Sequence, residues 1–272
     1  MTSHRSSATL ATDLRHTDSR RRIAALTMLN REPHPLHGDV LEALLENLGY
    51  EVKTVQRHAA GAVAVAAARD PAILARLFML LENSRIQTRW GAAYALGLID
   101  GALDLRAVPS LLEALANPDG DVRWAALDLL VRLGRQHPGA IRNGLLALQE
   151  RGDANSRKMS LYVLRNLRLC DSGVLAAVRA ASAAADSHVR LAALSFLREL
   201  GGAASESVDV VLGCLSSDPD HGVRRAAAGT LGYLKDRSER VLTALREAAD
   251  APHDASLQKA ARQTLAKLKE EP

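Results

Sequence analysis

The chain has 272 residues, of which 47% are apolar but only 3% are aromatic, and its formal net charge at pH 7 is +4. So few aromatic residues argue against a β-sandwich or β-barrel, because such folds are normally rich in aromatic and β-branched side chains. Two cysteines, Cys170 and Cys214, are too few for a disulfide framework and favour a reducing compartment. The first residues contain no apolar signal segment, and the longest apolar run, residues 59–68, is too short to span a bilayer. We therefore expect a cytoplasmic protein with no membrane contact.

An eight-residue pattern recurs along the whole chain, with Arg at its start and usually Leu at its end. Successive starts are 35, 32, 34, 34, 33, 34 and 34 residues apart. Because this spacing is nearly constant, the chain is predicted to consist of eight copies of one structural repeat. The copies begin at Arg22, Arg57, Arg89, Arg123, Arg157, Arg190, Arg224 and Gln258.

Each copy is predicted to be a pair of helices. Small residues follow the repeated Arg by two and three places and Leu follows it by seven, which is the spacing of one apolar helix face. A second amphipathic stretch precedes each pattern, for example residues 72–81, 108–116 and 241–249. We call the first helix of each repeat A and the second B. An Asp four residues before the repeated Arg is expected to cap the B helix in six copies. These residues are Asp18, Asp119, Asp153, Asp186, Asp220 and Asp254.

The fuller pattern Asp-x-x-Val-Arg-x-Ala-Ala-x-x-x-Leu occurs at residues 119–130, 186–197 and 220–231. It resembles the bacterial HEAT-repeat proteins, and among them the phycobilisome-lyase-type HEAT-like repeats. The resemblance covers about residues 18–268 and implies an all-α fold, a right-handed α-solenoid (an α–α superhelix of armadillo type) of about eight helical hairpins. We expect one solenoid domain over residues 8–268, a disordered tail at 1–7 and a polar tail at 269–272.

The same resemblance implies that the B helices line the concave side of the stack. With the Ala and Leu positions buried, residues one, five and eight places after the repeated Arg are predicted to form an accessible ridge. Trp90, Tyr94, Trp124 and Tyr162 all fall on this ridge. Accessible aromatic side chains are typical binding anchors. The alternative interpretation is that these four residues are buried and form a second layer of the core.

Basic side chains continue the ridge toward the C-terminus, while the predicted A helices carry many of the acids. This sorting predicts a positive surface that attracts an anionic ligand or an acidic partner, and an ordinary solvated helix face is the alternative. Among the ridge residues singled out, Asp128 is the one acid. Lys259 extends the basic stretch. The candidate binding residues are His58, Trp90, Tyr94, Trp124, Asp128, Lys158, Tyr162, Arg165, Arg198 and Arg225.

The repeated Arg itself is predicted to be structural. One turn into the B helix, it can pair with the cap Asp of its own repeat or of the next, as in related HEAT arrays. Arg57 and Arg89 lack the Asp four residues earlier, so these two are expected to be the members of the column that remain free for a ligand.

No pattern predicts a metal or a cofactor, since His-Glu pairs, Cys-x-x-Cys and phosphate-binding Gly loops are missing from the sequence. The leading hypothesis is a non-enzymatic scaffold that binds a protein or peptide in its groove. The second hypothesis is a DNA-binding HEAT-like protein, with or without glycosylase activity. Trp124 and Asp128 resemble the Trp and catalytic Asp of DNA-alkylation-repair glycosylases, with Trp90 beside the base. A third hypothesis, a bilin-lyase-like subunit, rests on family resemblance alone.

Overall fold

The computed structural model describes residues 7–31, 36 and 38–270. This part of the chain contains sixteen α-helices, three short 3-10 segments and no strand. The helices follow one another as eight A/B pairs, which confirms the predicted all-α repeat fold. None of these helices is long and apolar enough to cross a membrane.

The A helices are short, and 3-10 segments extend three of them, at Asn47–Gly49, Leu105–Ala107 and Gly201–Ser207. The A helices are α1 (Ser7–Leu14), α3 (Asp39–Glu46), α5 (Ala72–Leu80), α7 (Val108–Ala114), α9 (Pro138–Arg151), α11 (Ser172–Ala181), α13 (Val208–Ser217) and α15 (Glu239–Ala249). The B helices are α2 (Ser19–Arg31), α4 (Lys53–Ala67), α6 (Ile86–Leu98), α8 (Gly120–Gln136), α10 (Ala154–Asn166), α12 (Ser187–Leu200), α14 (His221–Leu234) and α16 (Ala255–Glu270).

The chain divides into two compact units. Unit 1 comprises the residues up to Ala114 together with Trp124–Leu133, and unit 2 comprises Leu115–Arg123 and the chain from Gly134 onward. The single domain predicted over residues 8–268 stays a prediction. Of the predicted tails, residues 1–6 and 271–272 lie outside the described residues, whereas Ser7 begins α1 and α16 ends at Glu270.

The predicted caps of the B helices are confirmed. Each of the six Asp residues accepts a hydrogen bond from a backbone N–H two or three residues later. Asp153, for example, accepts from Ser156 at 2.7 Å, and Asp254 accepts from Leu257 at 3.0 Å. A carboxylate at this position satisfies an N–H that has no partner inside the helix and also complements the helix dipole.

The repeated Arg closes the loop between the A and B helices. The guanidinium of Arg89 donates to the carbonyls of Asn83 and Ser84 at 2.7 and 2.9 Å, six and five residues earlier in the chain. Arg123, Arg190 and Arg224 make the equivalent pair of bonds. The guanidinium group thus satisfies carbonyls of the loop that follows the A helix, and it bonds to this backbone rather than to the cap Asp of its own repeat.

Carboxylates are additional partners of the same guanidinium groups. Arg224 contacts Asp254, the cap residue of the next repeat, at 3.2 Å, as predicted. Arg89 instead binds Glu113, at 2.6 Å. The expectation that Arg89 and Arg57 remain free is therefore wrong, because Arg57 also has an interaction partner.

Small residues bring neighbouring helices close together. A Cβ atom built on Gly91 of α6 would lie 2.0 Å from the carbonyl oxygen of Leu48, so this position has room for no side chain. Residues three, four and seven places after the repeated Arg form the buried face, as Ala193, Leu194 and Leu197 do in α12. This burial fixes which side of each B helix stays accessible.

Candidate functional site

The accessible ridge of the B helices differs from the predicted one at its last position. Residues eight places after the repeated Arg include the buried Gly97, Val131 and Gly232. A Cβ atom on Gly97 would lie 2.5 Å from Leu129 Cδ2, because this position faces the B helix of the next repeat. The ninth position is exposed instead in most repeats, including Tyr233. The ridge therefore follows positions one, five and nine, which are one helical turn apart, and in α12 it also includes the exposed eighth residue, Arg198.

The two tryptophans differ in exposure although they occupy the same position in adjacent repeats. Trp124 is 51% exposed, whereas Trp90 is only 6% exposed and its ring centroid lies 5.4 Å from that of the half-buried Tyr94. The expectation that Trp90 is accessible is therefore wrong, and for this residue the core alternative holds. Asp128 is exposed one turn after Trp124. A buried Trp90 cannot stand beside a DNA base, so the glycosylase hypothesis loses the residue assigned to that role.

Arg165, predicted as a binding residue, interacts with side chains of its own repeat and of the next. Its guanidinium donates to the hydroxyl of Ser195 at 2.7 Å, lies 3.5 Å from the carboxylate of Glu199 and sits 5.1 Å from the ring centroid of Tyr162. Glu199 is at the ninth position of its repeat, which the predicted ridge omitted. The charge of Arg165 is thus largely compensated.

Two other ridge residues are half-buried, Lys158 on α10 and His58 on α4. The Nδ1 atom of His58 lies 2.8 Å from the carbonyl oxygen of Thr54, one turn earlier on the same helix.

A cleft of about 410 Å³ opens on the B-helix surface of unit 2, bordered by α12, α14 and α16. Two of the predicted binding residues, Arg198 and Arg225, line it together. We call it the basic cleft. Its lining includes Arg198, Arg225, Gly229, Tyr233, Gln263 and Lys267.

Tyr233 organises two of the cations. Arg198 donates from Nη2 to the Tyr233 hydroxyl at 2.9 Å, and its guanidinium carbon lies 4.5 Å from the ring centroid. The ammonium nitrogen of Lys267 lies 3.4 Å from the same centroid, within the range of a cation–π contact. The hydrogen bond from Arg198, together with the charges of Arg198 and Lys267, lowers the pKa of Tyr233 below its usual value.

The cations of the basic cleft are not neutralised by acids. No Asp or Glu lines the cleft, and none of Arg198, Arg225 and Lys267 forms an ion pair with a carboxylate in the described part of the chain. Three positive charges therefore face an accessible cleft whose polar groups are mostly hydrogen-bond donors. This arrangement can bind an anion.

Two glycines of α14 shape the cleft. A Cβ atom on Gly232 would lie 3.0 Å from Cγ2 of Thr264 and 3.7 Å from Cδ of Lys267, so Gly232 lets α16 lie close to α14. That proximity places Lys267 over Tyr233. A Cβ atom on Gly229 would have no neighbour within 4 Å, so this glycine leaves the cleft open.

The sequence reasoning found Arg198 and Arg225 but missed Tyr233 and Lys267. Both missed residues lie nine places after their repeat starts, at Arg224 and Gln258. Continuing the four-residue step from Arg225 through Gly229 leads directly to Tyr233, so the signal was present in the helix period.

A second cavity in unit 2, of about 530 Å³, is lined by Cys214 and by the ion pair of Arg190 and Asp218. This ion pair is bidentate, with both nitrogen–oxygen distances 2.7 Å, so its charges satisfy each other. Burial raises the pKa of the Cys214 thiol to about 11. A thiol with so high a pKa is a poor nucleophile or ligand at neutral pH. Within the described ranges, no group of three His, Cys, Asp or Glu residues is placed to hold a metal ion.

Solved structures with a similar fold are large helical solenoids. Importin beta matches with a TM-score of 0.65 and 14% identity over 98% of this chain and 42% of that one. Kap121p bound to Ste12p matches with a TM-score of 0.61 and 15% identity, over 97% of this chain and 33% of that one. Kap121p bound to the extreme C-terminus of the protein phosphatase Cdc14p matches with a TM-score of 0.64 and 14% identity, with the same coverage.

The chain spans less than half the length of these solenoids, and at such identities the likeness concerns the fold. No curated protein matches the chain. A family model described as HEAT repeats matches residues 41–131 and 195–266, which together make up more than half of the sequence. The chain therefore belongs to the HEAT-repeat family.

Proposed function

We propose that this protein is a non-enzymatic HEAT-repeat adaptor that binds an acidic segment of a partner protein on its B-helix surface, at the basic cleft. The observation that carries the proposal is the convergence of Arg198, Arg225 and Lys267 on one accessible cleft without a carboxylate. Like charges held close together repel one another and create a positive potential, which favours a negatively charged ligand.

The positions of the cations on the B helices suit recognition of an extended segment. Arg198, Arg225 and Lys267 lie on three successive B helices, so one segment can cross all three. Tyr233 restricts two of the cations before any ligand arrives, which lowers the entropy lost on binding. Complementary charge adds mainly to the association rate and to the choice of partner.

The similar solenoids give a precedent for the class of ligand. Kap121p is bound to Ste12p in one structure and to a C-terminal segment of Cdc14p in another. We carry over to this chain only the idea that a protein segment is the ligand. The phycobilisome-lyase-type branch, the bilin-lyase-like role, bacterial origin and cytoplasmic location stay predictions.

Unit 1 offers a separate contact. The indole of Trp124 is half exposed on α8, and large aromatic side chains are frequent anchors of protein interfaces. We propose that Trp124 packs against an apolar side chain of the partner. Replacing it with Ala is expected to weaken binding of the partner without loss of the fold.

The test uses a fluorescein-labelled oligoglutamate peptide and fluorescence anisotropy at low salt. We expect binding to the wild type, weaker binding at higher salt because the charges are screened, and a loss of affinity of about tenfold or more in Arg225→Glu. The matched control is Arg151→Glu, which makes the same charge change at an exposed residue of α9. This control should bind within about twofold of the wild type.

Equal losses in both variants would mean that only net charge matters and would overturn the proposal, as would the absence of binding at low salt. A short DNA duplex is the comparison ligand. If the duplex binds more tightly than the peptide and loses that affinity in Arg225→Glu, the cleft serves nucleic acid and the adaptor proposal is wrong.

A further inference from the structure

The composition of the basic cleft points to a particular anion, and the inference rests on the proposed function. We propose that the cleft binds a phosphomonoester, namely a phosphorylated serine or threonine side chain in the acidic segment of the partner. The HEAT-repeat fold does not by itself imply phosphate binding. The groups that would bind phosphate are particular side chains of this cleft.

The donors of the cleft match a phosphoryl group in number. Arg198, Arg225 and Lys267 supply charged N–H groups, the amide of Gln263 supplies another donor, and the Tyr233 hydroxyl has a proton to donate while it accepts from Arg198. A phosphomonoester has three acceptor oxygens outside its ester bond, whereas a carboxylate has two. The phosphoryl group therefore uses more of the donors present.

The charges match as well. A phosphomonoester carries about −1.5 to −2 charges at pH 7, while a carboxylate or one phosphodiester linkage carries one. Three cations around a monoanion would leave two positive charges uncompensated, whereas a dianion neutralises most of the set. This difference favours a phosphorylated side chain over both an unmodified acidic residue and a nucleic-acid backbone.

The way in which Arg198 is held preserves its charge for the ligand. Arg165, on the neighbouring helix α10, lies 3.5 Å from the carboxylate of Glu199, which compensates it. Arg198 is instead held by the neutral hydroxyl and ring of Tyr233. The lowered pKa of Tyr233 is consistent with a positive potential at this point. Tyr233 thus fixes the position of the Arg198 guanidinium without neutralising its charge.

The cleft also has the space that a phosphoryl group needs. Its volume is about 410 Å³, and Gly229 leaves its floor open since a Cβ atom there would have no neighbour within 4 Å. A larger side chain at position 229 would therefore enter the cleft rather than clash with the fold. Gly229→Leu fills the space without changing a charge, and it should not harm α14 because Leu has the higher helix propensity.

The test compares three labelled peptides with one Gly/Ser-rich sequence that differ only in a central serine, phosphoserine or aspartate. Anisotropy titrations with the wild type are expected to show phosphoserine binding at least about tenfold more tightly than either of the others. The preference should disappear in Gly229→Leu and in Lys267→Gln and persist in Arg151→Gln, the exposed control on α9. Circular dichroism and urea unfolding check that each variant is folded.

Equal binding of the phosphoserine and aspartate peptides overturns the inference, and so does a preference that survives Gly229→Leu. Inorganic phosphate that competes as strongly as the phosphopeptide, mole for mole, would assign the cleft to free phosphate and also overturn it. The oligoglutamate measurement separates the two proposals. Retained oligoglutamate binding without a phosphoserine preference leaves the adaptor standing and removes the phosphoryl site. A phosphoserine preference without oligoglutamate binding would support the phosphoryl site and contradict the proposed recognition of an unmodified acidic segment.

Discussion

The A-helix and B-helix surfaces of unit 2 use their arginines differently. On the A side, cations lie against carboxylates of a neighbouring repeat, in the pairs Arg142–Asp171, Arg179–Glu206 and Arg240–Asp209. On the B side of α12, α14 and α16, the cations of the basic cleft have no such carboxylate within the described part of the chain. Pairing between repeats holds neighbouring repeats together, whereas the cations of the cleft are those that we propose to bind an external anion. The contrast predicts different responses to mutation.

The largest effect is expected at the buried ion pair of unit 2 that joins the start of the B helix α12 to the end of the A helix α13. Arg190 and Asp218 have side chains that are only 9% and 5% exposed. Asp218→Asn leaves the guanidinium buried without its counter-charge and should lower the free energy of unfolding by about 3 kcal/mol or more. Urea unfolding followed by circular dichroism measures the change.

The matched control is Asp209→Asn, which breaks the exposed pair with Arg240 and should cost no more than about 1 kcal/mol. Equal losses at the two positions would mean that burial does not distinguish the two ion pairs.

A smaller effect, of opposite sign, is expected on the B side. Arg225→Gln removes one of three neighbouring positive charges, so the free energy of unfolding should stay unchanged or rise by up to about 0.5 kcal/mol. The measurement is again urea unfolding, at low salt where repulsion is least screened. A clear loss of stability would show that Arg225 has a structural partner and would remove the distinction between the two surfaces.

The pH dependence provides a third test, on the A side. The side-chain hydrogen bonds from Arg142 lower the pKa of Asp171 to about 2, from an ordinary value of 3.8. Because the folded pKa lies below the unfolded one, this carboxylate stabilises the fold above about pH 4, and the contribution is lost as the pH falls toward 2. The difference in urea midpoint between the wild type and Arg142→Gln should therefore shrink over this interval. A difference that stays constant from pH 5 to about pH 2 would contradict the pairing.

The smallest effect concerns the ionisation of Tyr233 on the B side. Its hydroxyl is expected to ionise below the usual tyrosine value of about 10, because Arg198 and Lys267 stabilise the phenolate. Ultraviolet titration of the wild type minus Tyr233→Phe isolates this group. Arg198→Gln should move its pKa back toward 10, and no movement would show that the two side chains do not interact in solution.

The repeat architecture was readable from the sequence since it depends on short-range patterns. The helix period, the Ala-rich face and the cap Asp each act within one hairpin, and all six predicted caps are confirmed. The predicted ridge failed at one position in several repeats, because the eighth residue turns toward the next B helix, as Gly97 does toward Leu129, although Arg198 at the same position is exposed. The prediction for Trp90 failed for a related reason. Trp90 and Trp124 occupy the same position of the repeat, and their different exposure depends on the side chains that surround each ring in the fold.

The sequence by itself determined the number of repeats, the register of the A and B helices, and Arg198 and Arg225 as accessible cations. Only the tertiary structure decided which cations have a carboxylate beside them and which do not. Arg165 meets Glu199 and Arg198 meets Tyr233 across neighbouring repeats, more than thirty residues apart along the chain. Such contacts depend on how closely two helices pack. Between α14 and α16 that closeness is set by Gly232 against Thr264, which places Lys267 over Tyr233, and it is a property of the folded stack rather than of either repeat alone.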